Sequence, residues 1–483
     1  MVRWDVACLV IANILSNSCY SLVVPFLPLE LETRGISVST IGYIFCMYSV
    51  AVIIGSPIVG RLMTRRGRKK ILIFGLCFMG CSMIGFGTIP YSPSLSMFTL
   101  LAFVFRFCQG ISSCSIQTTS YAIVSMTFPD EQEKYIALIE TAVGVGLILG
   151  PVIGSSIYAF FGFSPTFFVI GIIFLFLTPL LYCLIPNSID RGNANVETDA
   201  EKMIHEYQDH QSERDKNARV SFFKLLGTRR FLIASMGGMM ANFMYCYMEP
   251  VLAFRISEFE ISSFQIGMFF SIQPISYIIL SFTISWFSKN YANRGLIMVG
   301  ALVSSFSMLL VGPSHYLPNE LYLMGLGQLC IGGFGLFLMV PVIPEMINSG
   351  SKYYPGKIIE VTDISAGVFN SGLGIGQVVG PIFGSYVTQA TDFRTCSDIV
   401  GYILFTYSIL YFLLGDGLVL LKTACKEVKK KEVIDVVRSS PARNVQMRNR
   451  ILSNASHDEN FDLNYEKLSQ RTPLLNKQQR QDV

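Results

Sequence analysis

The chain has 483 residues, of which 51% are hydrophobic and only 14% charged, and its mean hydropathy is +0.49. That balance excludes a water-soluble globular protein of this length and leaves a polytopic membrane protein. The formal net charge of +4 calls for no nucleic-acid partner, because the excess cations are gathered in a few polar segments.

Crossing about 30 Å of hydrocarbon takes roughly 18 or more apolar residues. Runs of that kind are predicted at 5–28, 39–60, 71–90, 96–126, 136–160, 164–185, 231–254, 264–286, 296–312, 320–345, 361–389 and 399–421, numbered here as spans 1 to 12. The first lacks a small-residue cleavage site followed by a polar segment, so it is expected to stay as a helix. The loop after span 2 carries Arg61, Arg65, Arg66, Arg68, Lys69 and Lys70, whereas the loops of the opposite side offer Arg34, Arg255 and Arg394. Since cytoplasmic loops collect Lys and Arg, both termini are expected in the cytoplasm.

Residues 186–228 are polar and charged and divide the spans six and six, as a linker does. The expected organisation is a six-helix bundle over 1–185, a cytoplasmic linker over 186–228, a second bundle over 229–421 and a disordered cytoplasmic tail over 422–483. The tail opens with the basic stretch KTACKEVKKKEV, which suits an anionic leaflet. Its Leu474–Leu475 pair is of the kind that sorting adaptors read, but no acid stands four residues before it, and a chance pair is the stronger reading.

Nothing in the chain suggests an enzyme, a metal centre or a cofactor. GSKYYPGK at 350–357 has the wrong spacing for a phosphate loop, and His205, His210, His315 and His457 all fall in loops or tails. The twelve cysteines lie mostly within spans, where they read as small apolar residues. Cys396 alone is placed near a loop on the non-cytoplasmic side, so no disulfide framework is expected. The NAS acceptor at Asn454 lies on the cytoplasmic side by this topology and is expected to carry no glycan.

The two halves share a plan. An offset of 225 pairs Asn17 with Asn242, Tyr20 with Tyr245, Pro25 with Pro250, Ser37 with Ser262, Ile41 with Ile266 and Gly42 with Gly267. An offset of 230 aligns GVGLILGPVIGS (144–155) with GIGQVVGPIFGS (374–385), matching Gly146, Gly150, Pro151 and Gly154 to Gly376, Gly380, Pro381 and Gly384. Duplicated six-span units are the sequence trace of a transporter that rocks one half on the other. The glycines also serve close helix packing, and each Gly-Pro step bends its helix.

These segments resemble the major facilitator superfamily. Its loop motif GxLxDRxGRK stands here as GRLMTRRGRKK, with Gly60, Arg65, Gly67, Arg68 and Lys69 in place and Thr64 where the family has aspartate. Asp130 and Glu131 on the next loop of that side are candidates for the missing carboxylate. Span 4 carries the RxxQG pattern at Arg106, Gln109 and Gly110, and span 5 the GxxxGPxxG pattern that the family associates with exchange. CYSLVVPFLP, FVFRF, LIETAVGVGLILGPVIGS, EPVL and VPVIPEMI resemble, in content and order, the vesicular amine transporters and their polyamine branch. The resemblance implies an all-α membrane protein of twelve helices in two pseudo-symmetric six-helix bundles. It also implies alternating access, an organic cation exchanged for protons, and a vesicular or endolysosomal membrane. A transporter of an uncharged or anionic solute, or a receptor built on the same fold, are the competing readings.

Charges within spans are costly, at least about 2.5 to 3.5 kcal/mol each, and are candidates for function. Arg106 is expected near the midplane and stays ionised. Glu140 opens span 5 and is weighed equally as a coupling group and as an ion-pair partner of the basic loop. Glu345 and Asp416 near helix ends are read as solvated or structural, and Asp363 as a helix N-terminal acid. Glu249 lies far along span 7 before Pro250, which removes an intrahelical hydrogen bond, and is the leading candidate for proton and cation exchange. A direct central ion pair between Glu249 and Arg106 is not expected. Tyr20, Tyr245 and Tyr247 supply aromatic faces suited to an ammonium group. Asn17, Asn242, Gln109, Gln273 and Gln328 are uncharged polar candidates, although for each alone the bridging of helices is the stronger reading.

Overall fold

A computed structural model of the chain describes residues 4–128, 132–185, 222–354 and 357–415. Much of the linker, the tail, and Asp130, Glu131 and Asp416 lie outside the described residues, as do the side chains of Thr64 and Asp363.

All twelve spans are helical. They are Trp4–Leu22 with Leu27–Thr33, Val38–Arg66, Arg68–Thr88, Leu95–Thr127, Gln132–Phe161 and Phe163–Leu184 in the first half. The second half has Arg229–Cys246 with Leu252–Ser257, Ser263–Asn290, Asn293–Val311, Leu321–Met339 with Val342–Gly350, Ile358–Ala390 and Phe393–Leu414. A short helix, Phe222–Leu226, precedes span 7. Ten spans are long and apolar enough to cross a membrane on their own composition, spans 7 and 11 being the exceptions. Those two pack on each other, and span 7 buries Ser235 and Asn242.

The duplication is visible in local structure. Ser37 and Ser262, partners at the offset of 225, both cap their helices by accepting from the backbone N–H three residues on. Spans 1 and 7 both break just before or at the paired prolines, over 23–26 and 247–251. Gly67 joins spans 2 and 3 at φ +89°, a conformation open to glycine and strained for other residues.

Packing repeats as well. Span 1 lies on span 5 as span 7 lies on span 11, and the pairs 2–4, 3–4 and 3–6 recur as 8–10, 9–10 and 9–12. The duplicated glycines set these contacts. A Cβ on Gly146 would meet Asn17 Cβ at 2.9 Å, and one on Gly376 would meet Asn242 Cβ at 3.0 Å. Lipid tails give helices little reason to associate, so close backbone approach supplies the dispersion contacts that hold the bundle.

Two symmetric seams join the bundles, span 2 against span 11 and span 5 against span 8. Gly42 sits on the Pro381 carbonyl and Ser385, and its repeat partner Gly267 sits on the Pro151 carbonyl and Ser155. Ser39 donates to Gln389 from its backbone N–H at 2.9 Å and its hydroxyl at 2.5 Å, and Ser271 donates to the Ile148 carbonyl at 2.9 Å. Leu29 and Val38 pack on the core of the second bundle, and Phe254 on that of the first. Between described residues these interbundle contacts lie in the half nearer the 34–37 loop. Toward the basic-loop end, Gly144 lies against Ile278 and Gly374 against Ile53.

Of the two readings of Glu345, solvated or structural, the structural one fits: it is 2% exposed and accepts from Arg230 Nε at 2.6 Å, with Arg294 Nε at 3.7 Å. Cys396, in the first turn of Phe393–Leu414 and so next to the loop before it, is fully buried in the second bundle's core. Breaking a buried pair strands the remaining charge, so Glu345→Ala is expected to cost about 3 to 5 kcal/mol of stability. Chemical unfolding of the micelle-solubilised protein would show it, and an unchanged midpoint would refute the structural role.

Candidate functional site

The break in span 7 explains the placing of Glu249. Tyr247 to Val251 form a turn between Cys246 and Leu252, because Pro250 offers no N–H to the helix ladder. The Glu249 side chain, half-buried, leaves the helix there and accepts a hydrogen bond from the Tyr20 hydroxyl of span 1. That bond crosses from one bundle to the other. Span 7 resumes and runs to Ser257, so Glu249 stands deeper than an outer boundary at 254 implies.

Tyr20 leads inward to the second charge. Its ring lies against that of Tyr48 on span 2, with centroids 4.7 Å apart and planes at 46°. The Arg106 guanidinium of span 4 is fully buried and sits 5.3 Å from the Tyr48 ring and 5.1 Å from Phe45. A desolvated cation over aromatic faces gains about 2 kcal/mol or more. Arg106 Nη1 donates to Gln109 Oε1 at 3.3 Å, while its Nε and Nη2 find no hydrogen-bond partner among the described residues. Glu249 is within electrostatic reach of Arg106, yet no ion pair within 4 Å joins them; two tyrosine rings stand between. Four spans and both bundles thus contribute to one cluster of acid, phenols and arginine.

The other expected residues divide. Gln109 belongs to the cluster through Arg106 and also donates to Met83 Sδ at 3.3 Å. Asn17 is half-buried and turned onto its own helix, donating to the Asn13 carbonyl at 2.9 Å, and Asn242 donates to the Leu373 carbonyl of span 11 at 3.1 Å. Both therefore serve helix packing here. Tyr245 donates to the Ile331 carbonyl at 3.3 Å, Gln328 donates to Met248 Sδ at 3.3 Å, and Gln273 is half-buried on span 8. Tyr247 does not join Glu249: it is fully buried, its hydroxyl 3.0 Å from Ser397 Oγ, its ring facing Phe393 in the second bundle's core. Two residues on, the backbone has turned enough to point Glu249 the opposite way.

Glu140 is exposed beyond the seam and accepts from the Tyr121 hydroxyl at 2.6 Å. Among described residues it pairs with none of the arginines of the basic loop. Of the loop motif itself, Arg65 is exposed, Arg68 is half-buried, and Gly60 has open space around it.

Tyr48, Phe45 and Tyr121 escaped the reading of the sequence. For Tyr48 the signal was present, since the offset of 225 makes it the partner of Gln273. A separate groove of about 560 Å³ runs between spans 7 and 12, lined by Arg229, Met236, Met240, Tyr402, Thr406 and Leu410 among others. It includes no residue of the cluster.

Comparison with known proteins agrees with this architecture. Human MFS-type transporter SLC18B1 is 25% identical over 399 residues, covering 80% of this chain and 81% of that protein. The human chromaffin granule amine transporter is 24% identical over 387 residues, 78% of this chain and 65% of that protein. The crystal structure of the nucleoside transporter NupG superposes with a TM-score of 0.63 at 14% identity, over 86% of this chain and 99% of that one, which is a likeness of fold. The family profile of the Major Facilitator Superfamily matches residues 9–366, about three quarters of the sequence. With twelve helices in two repeated bundles joined by symmetric seams, the chain belongs to the major facilitator superfamily.

Proposed function

We propose that this transporter exchanges protons for an organic cation by alternating access, with Glu249 as the group for which proton and cation compete. The observation that carries the reading is the hydrogen bond from Tyr20 to Glu249. It ties the two bundles together through a carboxylate whose charge a proton would remove and an ammonium ion would compensate. With the basic loop on the cytoplasmic side, the arrangement is the cytoplasm-facing one, closed at the 34–37 end. An arriving cation pairs with the ionised carboxylate and competes with Tyr20 for it. Release of that tether lets the seams at Gly42 and Gly267 part, and protonation from the far side expels the cation. A ligand shifts the equilibrium between facing states only by its differential affinity for them, and a shared acid at the closing contact provides that difference. Arg106 holds a fixed positive charge nearby, so a second cation cannot enter without the first charge being compensated.

The names of the relatives, one of them a chromaffin granule amine transporter, support an amine as substrate and a vesicular membrane as the location. The two unpartnered donors on Arg106 favour the rival reading, an anionic solute held by the arginine. Counterflow of labelled amines in proteoliposomes, with and without a pH gradient, decides between them. Amine flux that ignores the gradient would end the exchange reading, and carboxylate flux in its place would establish the rival.

Tyr20→Phe removes one hydrogen bond to a carboxylate, so a loss of roughly tenfold in kcat/KM is expected. The same flux assay measures it, and an unaltered rate would show the tether to be idle.

A further inference from the structure

The groove between spans 7 and 12 takes no part in the exchange site and suits a different ligand. Span 12 packs on span 9 and touches spans 7 and 11, all within the second bundle. Its other side carries Phe405, Ile409 and Leu413, exposed together with the groove residues Tyr402 and Leu410. In a membrane that side meets acyl chains, so the groove opens to lipid and not to the cleft between the bundles. Two of its hydroxyls are spent on backbone. Tyr407 donates to the Ile233 carbonyl of span 7 at 2.9 Å, and Thr406 donates to the Tyr402 carbonyl at 2.8 Å. Met236, Met240 and Leu410 complete an apolar wall that adapts to a flexible chain.

One end of the groove differs. Arg229, the first residue of the span 7 helix, lines it, is exposed, and has no ion pair or side-chain hydrogen bond among the described residues. Its neighbour Arg230, by contrast, is held by Glu345 at 2.6 Å. Thr228 turns its hydroxyl to the Lys224 carbonyl at 3.3 Å and leaves the helix start without a side-chain cap, which adds to the positive character beside Arg229. On span 7 the lining runs from Arg229 to Met240, about 16 Å at 1.5 Å per residue. That is about half of a hydrocarbon core of roughly 30 Å, the depth of a single leaflet.

We infer that this groove binds an anionic phospholipid of the leaflet on the basic-loop side, one acyl chain lying along Met236, Met240 and Tyr402 and the phosphate resting on Arg229. The planar guanidinium fork matches phosphate oxygens, and basic pockets between membrane helices recognise anionic headgroups. The lipid bridges spans 7 and 12 and braces the start of the helix whose break carries Glu249, without touching that acid. This site stands apart from the exchange reading and from the nature of the transported solute.

Native mass spectrometry of the purified full-length protein in detergent micelles tests it, with dioleoyl phosphatidylserine and dioleoyl phosphatidylcholine as probes. One equivalent of the serine lipid is expected to bind roughly fivefold more tightly than the choline lipid, the contribution of one basic residue near an anionic surface. Arg229→Gln is expected to erase that preference while choline-lipid binding stays as it was. In the unmutated protein, phosphatidylserine with a diazirine at its acyl end is expected to label Met236, Met240 or Tyr402 on illumination. A preference that persists in Arg229→Gln would assign the headgroup to other basic segments, such as 422–431, and overturn the site. Equal affinity for the two lipids, labelling spread evenly over the exposed faces of both bundles, or a mass of two chains without lipid would overturn it as well.

Discussion

Glu249→Gln is expected to reduce gradient-driven amine accumulation to background and to weaken equilibrium cation binding by roughly 10- to 100-fold, the range for a hydrogen-bonded contact to a charged group. Glutamine keeps the length of the side chain and can still accept from Tyr20, the bond that the wild-type carboxylate makes between the bundles. The fold and the closed end should therefore survive, and gel filtration and thermal unfolding provide the control. What disappears is the ability to alternate between a proton and an ammonium ion as countercharge, with Arg106 still fully buried nearby. Both effects should appear together, because one group performs both tasks. Proton-driven exchange at the wild-type rate in Glu249→Gln would remove Glu249 from the mechanism.

Gly267→Ala and Gly42→Ala are expected to shift the protein toward the state open at the 34–37 end. Each glycine lies against a backbone carbonyl of the opposite bundle, Pro151 for Gly267 and Pro381 for Gly42, where an added Cβ has no room. A backbone obstacle cannot swing aside as a flexible side chain can. Overpacking of this kind costs about 1 to 3 kcal/mol, and it is borne only by the arrangement in which the seam is closed. The ratio of the two facing states should therefore move by roughly 5- to 150-fold. Spin labels at positions 32 and 260, flanking the closed end, should report a longer distance in either variant. Gly367→Ala is the control, because nothing stands within 4 Å of the added carbon. An unchanged distance distribution in Gly267→Ala would mean that the seam does not define the closed state.

The site was legible in parts. Glu249 could be found because a carboxylate beside proline in an apolar run violates two local rules at once, and Arg106 because a cation in a span is costly. Tyr48 could have been found by completing the repeat, whereas Tyr121 carries no mark in the sequence, tyrosine being common in this chain. Tyr247 shows the limit from the other side. It stands two residues from Glu249 and looked equally suited to a cation, yet it is fully buried with its hydroxyl beside Ser397. Glu345 looked like a helix-end acid because its partner Arg230 is 115 residues away.

What the sequence determined by itself is everything that depends on neighbours along the chain: the run of apolar residues that makes each span, the Ser37 and Ser262 caps, the proline breaks, and the duplication written in paired glycines. Each of these is a matter of local hydrogen bonding or of composition over one helix. What only the tertiary structure decided is which groups face each other. An α-helix turns about 100° per residue, so a shift of one position redirects a side chain from the cleft to the core. That rotation is set by how the glycine rows of spans 5 and 11 seat against spans 1 and 7, a contact between segments more than a hundred residues apart. The meeting of Glu249, Tyr20, Tyr48 and Arg106 is the product of that seating.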